Sequence, residues 1–149
     1  MHKSLSLLTL VLALLVGCNS EKDGTLDRLE FDNGDTALAL KVSIAPHGVG
    51  YVVAPDATDA SKALLEDIRG SWPELWPKMI AYINEAKEDY NVDVKFDSTF
   101  MATLQELEAD VFMADEADLL IGIHPSNDAV PVWHFFVRGS EIAHQQPVF

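Results

Sequence analysis

From Leu26 onward, apolar residues recur first at every second position and then at helical spacing. Leu29 and Phe31 precede Asp32-Asn33-Gly34-Asp35, and Leu38, Leu40, Val42 and Ile44 follow. Asn-Gly between alternating runs predicts a type I′ hairpin, because both central residues of that turn need positive φ. With Asn33-Gly34 as the loop, Leu29 faces Leu38 and Phe31 faces Thr36. His47-Gly48 predicts a second hairpin in which Ile44 faces Tyr51 and Val42 faces Val53. His47 tolerates positive φ better than most side chains, which explains it by its turn. A three-strand meander over 26–54 results.

The period then becomes helical. Asp56 or Thr58 can cap a helix through Ala63, Leu64 and Ile68 that stops at Gly70. Ser71-Trp72-Pro73-Glu74 reads as a fresh capping box with proline in the first turn, where its missing N–H does no harm. Leu75, Trp76, Met79, Ile80, Ile83, Ala86 and Tyr90 make one apolar stripe, predicting a long amphipathic helix over about 72–90 that lies across the sheet. Val92, Val94 and Phe96 alternate with Asp93, Lys95 and Asp97 as in a half-buried strand. Between Phe100 and Val111 strand and helix patterns compete; the reading adopted is strand to about Leu107 and a helical turn over 109–114. Leu119–Ile123 and Val130–Val137 are further strands. Gly139-Ser140 suits a type II′ turn that sets Arg138 opposite Glu141, Val137 opposite Ile142 and Phe135 opposite His144. The expected class is α+β: an antiparallel sheet of six to seven strands in the order βββααββββ, with a long helix packed on one face.

Charge and cysteine usage narrow the function classes. The 149 residues carry 24 acidic side chains against 10 Lys and Arg, for a net charge of -14. Nucleic-acid binding needs clustered Lys and Arg, so a nucleic-acid partner is not expected. A hydrophobic content of 48% is too high for a disordered chain. A single cysteine excludes an internal disulfide and any multi-cysteine zinc site.

That cysteine follows a short basic start (Met1-His2-Lys3-Ser4) and an apolar run from Leu5 to Val16. About a dozen apolar residues fit a secretory signal core, whereas a spanning helix needs about 20. The run ends in Leu15-Val16-Gly17-Cys18, which resembles the lipobox of bacterial lipoprotein signals. The resemblance implies cleavage before Cys18, a diacylglycerol on its thiol and an acylated new amine. It also implies partnership with a lipid bilayer through the acylated Cys18. Two or three acyl chains anchor firmly where one binds reversibly. Asn19 after the cysteine, in place of Asp, favours the outer membrane under the enterobacterial sorting rule. The expected organisation is thus a signal peptide over 1–17, a lipidated Cys18 with a polar tether to residue 25, and one globular domain over 26–149. Losing Lys3 leaves 9 basic against 24 acidic side chains, a mature balance of -15.

No motif for chemistry survives the same scrutiny. His124, His134 and His144 recur at intervals of ten in the C-terminal strands. In a regular hairpin His134 pairs with Gln145 and His144 with Phe135, so the two point to opposite faces and do not converge on a metal. The acids of Glu106–Asp110 and Asp115–Asp118 lack the spaced oxygen ligands of a calcium loop and read as a solvated face. The chain has no G-x-S-x-G elbow, no H-E-x-x-H helix and no phosphate loop. Neither a cofactor, a metal nor catalytic residues are assigned. The tryptophans fit core packing at these spacings, and Trp72, beside Gly70 at a helix start, is the candidate for an exposed contact. The leading expectation is a lipid-anchored envelope lipoprotein that binds an envelope protein or a small ligand, as an inhibitor or immunity factor would. A cell-wall or surface hydrolase and a structural subunit of an envelope complex are the alternatives.

Overall fold

The computed structural model describes residues 25–30, 32–97, 100–110, 113–127 and 131–149. Cys18, the lipobox and the tether as far as Gly24 lie outside the described residues, as does Phe31. One seven-stranded sheet runs in chain order: β1 (Leu26–Glu30), β2 (Thr36–Ser43), β3 (Val49–Val53), β4 (Met101–Glu106), β5 (Leu119–His124), β6 (Val132–Arg138) and β7 (Glu141–Val148). Among the described residues there is one helix, α1 (Asp59–Asp89), between β3 and β4. The class is α+β, with one helix where two were expected.

Thr58 caps α1, its side chain accepting from the Ser61 N–H, while Asp56 accepts from the Thr58 and Ser61 hydroxyls at 2.6 Å each. The helix then continues for 31 residues straight through Gly70, Pro73 and Pro77. Ser71 starts no second helix; its hydroxyl donates back to the Asp67 carbonyl at 3.2 Å, the mid-helix habit of serine. Packing explains the continuity. Leu65, Ile68, Trp72, Leu75, Trp76 and Met79 form an unbroken buried stripe across the expected break, and tertiary burial outweighs the local signals.

A helix about 46 Å long returns the chain to the far end of the sheet. β4 therefore pairs with β3 in parallel (Tyr51↔Met101, Val53↔Thr103), where an all-antiparallel sheet was expected. Residues 92–97 form no strand. Their backbone is held by the turn after β5: Lys95 N–H donates to Asn127 Oδ1 at 3.0 Å and Asp97 N–H to Ser126 Oγ at 2.8 Å. The helical turn expected over 109–114 is likewise not seen at its described residues, where Met113 takes φ 71.

All three hairpin turns form at the expected places, but the registers of the first two differ throughout. Leu29 pairs with Ala37 and Glu30 with Thr36, one residue away from the type I′ register. Gly34 alone takes positive φ (86), so the loop is longer than two residues. In the second hairpin Val42 pairs with Gly50 and Lys41 with Tyr51. Gly48, not His47, carries the positive φ (112). Gly50 lies where the Phe100 ring packs; a Cβ there would come within 3.1 Å of Phe100 Cγ. This register delivers the one residue without a side chain to that ring. Both shifts are odd, so each reverses one set of faces. Val42 and Ile44 turn to the helix, while Leu29, Tyr51 and Val53 turn away.

In the third hairpin Arg138↔Glu141 and Val137↔Ile142 agree with expectation. A bulge then moves His144 opposite Phe136 and His134 opposite Gln146. The main core fills the space between α1 and the sheet with Trp72, Trp76, Phe100, Trp133 and Phe135. A second buried cluster on the opposite face (Leu29, Ala37, Ala39, Tyr51, Val53, Met101) contains no helix residue. Among the described residues, no helix is long and apolar enough to cross a membrane.

Candidate functional site

A groove of about 600 Å³ lies between α1 and β2, within the range of small-ligand sites. It exists because β1 pairs with β2 no further than Leu40, leaving the edge beyond it to the helix. Trp72 and Trp76 close that edge. Their indole N–H groups donate to the Ser43 and Ala45 carbonyls at 2.7 and 2.9 Å. The two rings stack at 5.8 Å, and Trp76 meets Phe96 and Phe100 edge-on. Leu40, Val42, Pro73, Pro77 and Ile80 complete the apolar lining, and Arg69 stands among them beside Glu66. Among the described residues, no carboxylate belongs to the lining.

Trp72 lines this groove and is not the exposed contact that was expected. It is 3% exposed and fully hydrogen-bonded, a wall of the groove and not a free surface contact. The sequence signal for the groove was the pair of tryptophans at i, i+4. Their partner carbonyls, about 30 residues upstream, could not be read from spacing.

A second, polar locus lies on the sheet face away from α1. The bulge in β7 places His144 on the same face as His134, where a regular register would separate them. Thr103, Gly122, His134 and Gln146 fall in one row across β4 to β7, with His124 two residues along β5 on the same face. Thr103 Oγ1 and His124 Nε2 are hydrogen-bonded at 3.1 Å above Gly122. Burial, aided by the neighbouring His134, pushes the His124 imidazole down to about 4, and burial also lowers His134. Both are neutral at pH 7.

The other histidines stay apart. His144 lies against the Phe136 ring at 5.7 Å, and His47 packs on Phe96 at 5.4 Å in the β2–β3 turn. Among the described residues no group of three or more His, Cys, Asp and Glu could hold a metal. In the acidic stretch, Asp118 pairs with Arg138 at 3.8 Å. Set against known proteins, the chain matches no family model, no curated protein and no solved structure.

Proposed function

We propose that this chain is a bacterial envelope lipoprotein, lipid-anchored through Cys18, whose acidic domain binds an envelope protein or a small ligand and performs no catalysis. An inhibitor or immunity role belongs to this class. The outer membrane is the favoured address, from Asn19. Leu15-Val16-Gly17-Cys18 carries the anchor. The observation that carries the binding reading is the α1–β2 groove, concave, apolar and lined by two stacked indoles without a carboxylate. The titratable pair on the far face supports the same reading, since His124 is bonded to a threonine and not to an acid that would make it a base.

Cys18→Ser tests the anchor. The expected result is an unprocessed precursor that takes up no lipid label, and normal processing of the variant would overturn the assignment. Turnover of cell-wall or surface material by the purified mature chain would move the conclusion to the envelope-hydrolase reading.

A further inference from the structure

The described chain begins beside the groove. Lys41 N–H donates to the Thr25 carbonyl at 3.0 Å, so the polypeptide reaches β1 along the outer edge of β2. The groove opens where β1 stops. Its lining extends from Leu40 to Ala45 on the strand side and from Arg69 to Ile80 on the helix, roughly 17 Å along either element. It is elongated, and its side chains are predominantly alkyl and aromatic.

The hydrogen bonding of this edge selects among occupants. A peptide adding as a strand to β2 would need the outward carbonyls of Ser43 and Ala45, and both are already taken by the indoles of Trp72 and Trp76. An occupant that offers no hydrogen-bonding groups forgoes nothing at these two carbonyls. An unbranched hydrocarbon chain meets that condition, and the lipobox puts such chains close by. Thr25 is seven residue steps from Cys18, a reach of at most about 25 Å, which exceeds the length of the groove.

We propose that the α1–β2 groove receives one acyl chain of the lipid carried by Cys18, so that the anchor folds back onto its own domain while its other chains hold the bilayer. The proposal rests on the lipid-anchor reading above and extends it by naming the occupant of the groove. Leu40, Val42, Pro73, Pro77 and Ile80 act by shape and apolarity, while Lys41, Ser43 and Arg69 are the polar residues of the lining.

The test uses the full chain expressed in bacteria fed a fatty acid that bears a photoreactive diazirine, with lipidation checked by intact mass. Irradiation of the mature protein should join the Cys18 lipopeptide to peptides of β2 and of helix residues 69–80. Ile80→Arg, which sets a charge among the apolar lining, should cut that yield about tenfold with the circular dichroism unchanged. Cross-links spread evenly over the domain, or confined to bilayer lipid, overturn the proposal and leave the anchor intact. A mature chain without acyl mass on Cys18 overturns both. Should Ile80→Arg fail to fold, the cross-link map of the unaltered chain decides alone.

Discussion

The two faces of the sheet are buried by different means. Toward α1 the sheet presents large side chains, with Phe100, Trp133 and Phe135 fully buried against a helix that supplies Trp72, Trp76 and Met79. Away from α1 the first four strands bury small or slender residues (Ala37, Ala39, Val53, Met101) around Tyr51, and β4 to β6 carry Thr103, His124 and His134. The helix face is therefore held by volume and by ring geometry, which do not respond to pH. The far face holds neutral imidazoles that pay a desolvation penalty on protonation, so acid acts there. One sheet thus combines a rigid apolar side bordering the groove with a side whose stability follows proton concentration.

Volume loss on the helix face should have the largest effect. Phe100→Ala empties the space above Gly50 and beside Trp76 and Phe96, and is expected to cost about 3–5 kcal/mol in urea unfolding. A cost below about 1 kcal/mol would show that this face is not close-packed and would break the contrast.

The far face should respond to acid. The folded His124 imidazole titrates near 4 and the unfolded one near 6.5, so between these values the unfolded chain binds more protons. Its contribution is complete above pH 6.5 and is lost as the pH falls toward 4, on the order of 3 kcal/mol. His134, lowered in the same direction by burial, adds to the slope. Chemical denaturation of His124→Gln as a function of pH should show a flatter profile over that window than the parent. An unchanged slope would place the acid response elsewhere in the molecule.

A smaller effect belongs to the helix start. Thr58→Ala removes the oxygen that accepts from the Ser61 N–H and is expected to cost about 1 kcal/mol, with no change in the slope between pH 4 and 6.5. A changed slope would couple the two faces that the structure keeps apart. Loss of the Thr58 hydroxyl also removes one of the donors that hold the Asp56 carboxyl below its usual range. The variant should therefore lose less stability than the parent as the pH falls below about 3.8.

Local chemistry was legible where a single residue decides it. Gly34, Gly48 and Gly139 take positive φ at the three predicted turns, Thr58 caps the helix, and the stripe from Leu75 to Ala86 faces the core. Three features lay beyond reach because each depends on a partner distant in the chain. Gly70 and Pro73 signal a break, yet the helix is carried through by strands that α1 meets only after folding. The β2–β3 register is chosen by Phe100, a residue after the helix, coming to rest on Gly50. The bulge opposite Phe136 and Val137, which brings His144 to the face of His134, leaves no composition signal in β7.

For the candidate site the division is the same. The tryptophans were visible and their spacing fitted core packing, but the place of Trp72 beside Gly70 suggested exposure where the residue is 3% exposed and its indole is bonded to Ser43. The sequence by itself determined the α+β class, strand periodicity on either side of a helical stretch, and the acidic balance. Tertiary structure alone decided which face each strand presents, that β3 and β4 run parallel, and that a groove remains where β1 ends beside α1. The reason is physical: propensity and periodicity act over a few residues, whereas register and cavities are set by the packing of side chains dozens of positions apart.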